Sequence, residues 1–285
     1  MLNFDDKLCR GLAAYDNMAK LHNLVVNADN DQVTLTITAQ GRFGKTFLFL
    51  IPCLRHIANE HGKTIVIHVS KEIYNKLGTS LVGEQQSTLP LKASFEVQLI
   101  PLKDDDTTLS LAQQIVVKDI SIKMSERLEE DMINKIGEVF NNAREHSNAR
   151  HVLAGRYLNY HTGGGKGLCF ICYDTGVGIV QNVRNRKNEM FSDREALEWA
   201  LAEYNSTAAT TGIARGQGLE LLSSFARANR GIIRICTGNI LYTYDCRNSK
   251  QKTTFQELKH TFCGTLFEMY INPDARQYHY KGESR

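Results

Sequence analysis

The chain has 285 residues, of which 42% are hydrophobic and 23% charged, with four prolines. That is room for two domains of ordinary soluble composition, each able to bury a core. Lys and Arg number 34 against 31 Asp and Glu, a net charge of +3 with no basic block, which argues against a nucleic-acid partner.

The opening stretch, MLNFDDKLCRGLAAYDNMAK, carries Asp5 and Asp6 and lacks the sustained apolar core of a signal peptide. Phe47 to Leu54 is the most apolar run, and it is too short for a bilayer, which takes about 20 residues. Seven scattered cysteines without an export signal fit reduced thiols, so the expected location is cytoplasmic, with no membrane contact.

Gln32 to Ala39, rich in β-branched residues, reads as a strand. Phe47 to Glu60 reads as a helix stopped by His61-Gly62, and Thr64 to Ser70 as a second strand. KEIYNKLG reads as a short helix, and Ser94 to Ile100 as a third strand. Strands alternating with helices predict a small α/β unit. Lys103 to Thr108, KDDDTT, has no apolar residue and marks the boundary, giving a smaller N-terminal α/β domain over 1–110 and a second domain over 111–285.

Inside the first unit, TAQGRFGKTFLFL carries Gly44-Lys45-Thr46, the tail of a phosphate-binding P-loop. The full motif needs a glycine five residues before Gly44, where Ala39 stands. The stretch therefore reads as a strand-to-helix turn with a solvated Lys45.

The second part opens with a helix from Ser125, its N-cap, to Ser147. Leu128, Met132, Ile133, Ile136, Val139 and Phe140 recur at helical spacing and mark a buried face. Strands follow near His151–Asn159 and Gly167–Tyr173; Cys169 and Cys172 form a CxxC within the second, where alternation points to packing. Val180 to Gly216 reads as irregular, with a helix over Ser192 to Glu203. GLELLSSFARANRG reads as a helix closed by Gly231. IIRICTG, ILYTYDC and GTLFEMYI read as strands, and the fold class is α+β.

Three stretches carry chemistry. In EVFNNAREHS, Glu138 and Asn142 lie four apart on one helix face, where a carboxylate can act as a general base and an amide oxygen is a hard ligand suited to Mg²⁺. Glu145 falls near the same face. In CYDTGVGIV, Asp174 ends a strand; it can accept a hydrogen bond from an amino group, while Gly176 and Gly178 let backbone approach a flat ring. In GIARGQGLELL, Gly216 and Gly218 precede a helix start, which favours phosphate.

Their order and spacing, with Gly264-Thr265 opening the last strand, resemble the GHKL ATP-binding superfamily over roughly Ser125 to Asn272. The resemblance implies the Bergerat fold, a helical layer on a mixed sheet, with ATP and Mg²⁺ as cofactors. It implies that Asn142 is the Mg²⁺ ligand, Glu138 the base, and Asp174 the adenine acceptor flanked by Gly176 and Gly178. Gly216 and Gly218 would lie under the phosphates, Thr265 would support Asp174, and Val180 to Arg215 would be a mobile lid. The wording EVFNNAREHS is most similar to the anti-sigma serine-kinase branch, and the N-terminal unit resembles STAS-like domains that pair with such kinases. Ser70, Ser80 and Ser87 are then candidate phosphorylation positions. Two functional classes stay open: an ATPase or protein serine/threonine kinase, and an ATP-driven switch read by a protein partner or a second copy of the chain.

Overall fold

The structure, a computed structural model, describes residues 2–4, 11–37, 44–69, 95–101, 105–119, 122–149, 151–160, 166–187, 190–202, 218–248, 250–272 and 276–283. The expected KEIYNKLG helix, Ser70, Ser80, Ser87 and Gly216 lie outside these residues.

Strands β1 (Leu2–Phe4), β2 (Gln32–Ile37) and β3 (Thr64–Val69) form a parallel sheet in that order. Helices α1 (Leu12–Val26) and α2 (Lys45–Glu60) alternate with them. The helix α2 begins directly after Gly44, and the Thr46 hydroxyl is buried, donating to Glu268 at 3.0 Å. The threonine of Gly44-Lys45-Thr46 is thus part of the core, while the turn expected before Gly44 lies outside the described residues.

A five-stranded sheet follows, ordered β4-β6-β7-β9-β8, with every neighbouring pair antiparallel. Its strands are β4 (Phe95–Pro101), β6 (His151–Tyr160), β7 (Lys166–Asp174), β8 (Ile232–Asp245) and β9 (Lys252–Ile271). The expected third strand of the N-terminal unit is β4, and it pairs with β6 at the edge of this larger sheet. Alternation alone does not choose a strand's partner, so the sequence assigned it to its neighbours in the chain. IIRICTG and ILYTYDC are one strand, β8, irregular at Thr237–Ile240 where Gly238 takes φ +56°.

One face of this sheet is covered by helices that lie between its strands in the chain: α3 (Asp105–Gln113, continued by a π-helical segment, Gln114–Asp119), α4 (Glu126–His146) and α7 (Gly218–Asn229), with α5 (Gly178–Lys187) and α6 (Asp193–Leu201) beside them. In α4, Leu128, Met132, Ile136 and Phe140 are buried, as the spacing predicts, and Ser125 accepts the Leu128 N–H at its start. The segment expected to be irregular after Val180 is instead helical over Gly178–Lys187. Val180 and Val183 are one turn apart and buried, which gives that turn a packing reason to form. A two-residue ladder of β5 (Lys123–Met124) with β10 (Gln277–Tyr278) closes the α4 end.

The other face is covered by α1 and α2. Met18, Leu21, Phe47, Leu50 and Leu54 form one core with Leu153, Tyr157, Ile171, Tyr173, Leu266 and Tyr270 of the sheet. The fold is therefore α+β, with the large sheet between two helical layers. Strand alternation places Cys169 in one core and Cys172 in the other, so the CxxC is a packing feature. Among the described residues no helix is long and apolar enough to cross a membrane.

Candidate functional site

Strand β7 ends at Asp174, only 3% exposed. Its Oδ1 accepts the Gly176 N–H at 3.0 Å, a local turn that side chain and backbone make together. Burial pushes the carboxyl up to about 7, against the backbone N–H groups of Gly176 and Thr265, which favour the ionised form. Among the described residues no cation pairs with it, and a buried carboxyl of this kind is a cost to the fold.

Cross-strand register sets Thr265 opposite Asp174, and Thr237 of β8 opposite Thr265. Directly opposed residues share a face, so the three line up on the side of the sheet that carries α4. Thr265 Oγ1 accepts the Ile179 N–H at 3.1 Å and so fastens the first turn of α5 to the sheet. Gly264 reaches this position at φ +76°, and a Cβ there would overlap the Asp174 carbonyl.

The turn after Asp174 leans on the end of α4. Ser147 caps that helix, and its carbonyl accepts the Val177 N–H at 2.8 Å. Gly176 sits so close that an added Cβ would overlap the same carbonyl oxygen. The two stretches that the sequence singles out separately are thus joined, DTGVG to EVFNNAREHS, at a contact only glycine permits. Gly176→Ala is expected to displace the turn and lower the melting temperature by several degrees, the usual result of forced overpacking. Thermal unfolding followed by circular dichroism checks this, and an unchanged melt would mean the turn relaxes freely.

Glu138 and Asn142 lie on the face of α4 turned away from its buried stripe; Asn142 is exposed and Glu138 half-buried. The Lys135 ammonium approaches Glu138 at 2.9 Å. Glu145 is near Arg144, which also pairs with Asp105 of α3. Gly218 begins α7, on the same side of the sheet, and Gly216 lies outside the described residues. Among the described residues no group of three His, Cys, Asp or Glu side chains is placed to hold a metal.

Sequence reasoning passed over Asp193. It accepts from the Asn239 N–H at 2.5 Å and from Arg184 at 2.6 Å, so it ties both α5 and α6 to the β8 irregularity. The only sequence signal is the S-x-x-E capping box, Ser192 with Glu195, which starts α6. Thr237 was also passed over, since a threonine in a strand carries no signal of its own.

No family description matches the chain, and no curated protein does. Among solved structures, a topoisomerase IV ATP-binding domain from Francisella tularensis, in complex with a small-molecule inhibitor, is similar at 12% identity over 64% of this chain, with a TM-score of 0.27. This chain spans 45% of that one.

Proposed function

We propose that the chain binds ATP in the manner of the GHKL superfamily and turns it over, as an ATPase or a protein serine/threonine kinase. The observation that carries this reading is Asp174: a buried carboxyl at a strand end, backed by Thr265 and followed by a glycine turn seated on α4. In this reading Asp174 accepts the exocyclic amine of adenine, and Gly176 and Gly178 pass their backbone against the ring. Residues 111–285 carry the nucleotide site, while the part before them contributes an edge strand and a covering layer.

Gly216 and Gly218 lead into α7, whose N-terminal N–H groups favour phosphate oxygens. Asn142, exposed on α4 one turn from Glu138, fits Mg²⁺, which keeps waters and takes few protein oxygens beside phosphate. Bound there, Mg²⁺ would offset the charge of the phosphates. Glu138 accepts the proton of the attacking water or hydroxyl, and Lys135 holds its carboxylate in place at 2.9 Å.

Glu138→Ala is expected to bind ATP as the unaltered protein does and to lose turnover by about 10²–10⁴-fold, the usual contribution of a general base. ADP release from Mg²⁺-ATP by both proteins tests this. Equal rates would remove Glu138 from the chemistry.

A second reading, ATP as a conformational ligand, draws on the packing of α1 and α2. They cover the back of β7 and β9, the strands that bear Asp174 and Thr265. A shift of those strands on binding would be felt by the N-terminal layer, and through it by a protein partner or a second copy of the chain. Such a shift is limited to the difference in ATP affinity between the two states.

A further inference from the structure

Thr237 is fully buried, and its hydroxyl has no hydrogen-bond partner among the described residues. Buried hydroxyls are satisfied as a rule, so one without a partner marks a place where a water or a ligand completes the bonding. The position is specific. Thr237 is the outer member of the row Asp174, Thr265, Thr237 that crosses β7, β9 and β8. It also lies beneath Gly178, the first residue of α5, which holds φ +78°. A Cβ on Gly178 would stand 2.6 Å from Thr237 Oγ1 and 2.7 Å from the Gly264 carbonyl oxygen. The hydroxyl and this carbonyl therefore flank the start of α5 together, beside the Ile179 N–H that Thr265 holds. A second buried hydroxyl without a partner, Thr175 Oγ1, lies in the same turn between Asp174 and Gly176.

We propose that Thr237 is a positioning residue of the nucleotide site, acting through the Gly176–Ile179 turn, and this rests on the ATP reading above. Its hydroxyl stands with the Gly264 carbonyl directly under Gly178, and this polar floor fixes the turn at the height at which Asp174 and the glycines meet adenine. Thr237 touches neither adenine nor phosphate. Its contribution is to hold Gly178 and Ile179 in the binding arrangement before the nucleotide arrives.

The test compares Thr237→Val, which keeps the shape and removes the hydroxyl, with Thr237→Ser, which keeps the hydroxyl. ATP affinity is measured by calorimetry, stability by thermal melting, and exchange of the Gly178 and Ile179 amides by mass spectrometry. Thr237→Val is expected to weaken ATP binding about tenfold, the worth of roughly one hydrogen bond. It should speed exchange at Gly178–Ile179 without lowering the melting temperature, and Thr237→Ser should restore both affinity and protection. Unaltered affinity and exchange in Thr237→Val would overturn the proposal, since the hydroxyl would then be idle. Loss in both variants would overturn it too, by assigning the effect to the packing of the methyl. If the unaltered protein binds no ATP, the ATP reading fails by itself, and the exchange comparison still decides whether the hydroxyl holds the turn.

Discussion

Asp174→Ala should give a folded protein that no longer holds ATP. The loss expected is at least about a hundredfold in affinity. A hydrogen bond to a charged group contributes about 1.5–3 kcal/mol, and the variant would also bury the adenine amine with no acceptor. The fold should survive, because the carboxyl is a cost to it. Burial raises Asp174 from 3.8 to about 7. Below about 3.8 both folded and unfolded forms are protonated and the fold loses nothing. As pH rises toward 7 the unfolded chain sheds the proton while the folded one keeps it, so stability falls across that window and is level above it. At about 1.36 kcal/mol per pH unit the full effect is on the order of 4 kcal/mol. Asp174→Ala should therefore flatten the stability profile between pH 4 and 7 and melt no lower than the unaltered protein at pH 8. Accepting the adenine amine favours the ionised carboxylate, so affinity of the unaltered protein should rise from pH 6 to 8. Calorimetric titration at both pH values, on both proteins, reads all of this. Tight binding by Asp174→Ala would end the adenine assignment.

The second large effect lies on the opposite face. Glu268 of β9 is 3% exposed and gathers groups from five other elements. Tyr15 of α1 donates to it at 2.5 Å, Thr46 of α2 at 3.0 Å and Arg234 of β8 at 3.1 Å. Tyr157 and Cys169 approach it from β6 and β7. Burial, reinforced by the Glu268 carboxylate, keeps the Tyr15 phenol protonated, so it stays a donor. Glu268→Ala leaves Arg234, whose side chain is 26% exposed, without this carboxylate and removes the acceptor of the Tyr15 and Thr46 hydroxyls. Solvent at Arg234 brings the loss of the pair below the about 3–5 kcal/mol of a fully buried one, and each buried hydroxyl left without its acceptor adds about 1–3 kcal/mol. Against a typical total of about 5–15 kcal/mol, that leaves a marginal fold. Urea unfolding should show a midpoint shift to match, with Glu268→Gln intermediate. A midpoint within 0.5 M of the unaltered protein, taken with a slope of about 1–3 kcal/mol/M, would mean that the cluster is far weaker than its burial implies.

The elements legible in the sequence are those whose signal is local. The stripe from Leu128 to Phe140 and the Ser125 cap announce α4, and both are present. Asp174 and its glycines are legible because strand end, carboxylate and glycine adjoin in sequence. What was not legible is pairing over distance. Nothing within Phe95–Pro101 says that it joins β6 rather than β3. Nothing in Thr237 says that it stands in a row with Asp174, because that row exists only once β9 lies between β7 and β8. Glu268 reads as a polar interruption in a strand until Tyr15 and Arg234 are set around it.

The contact between Tyr15 and Glu268 spans 253 residues of chain. On a ribosome adding about 5–20 residues per second, that interval lasts roughly 13–50 s. Through it, the apolar sides of α1 and α2 exist without the strand that buries them, since β9 has yet to be made. Helices of this kind are natural clients for a holding chaperone during synthesis. Depleting such chaperones should send the nascent protein into aggregates even where the finished one is stable.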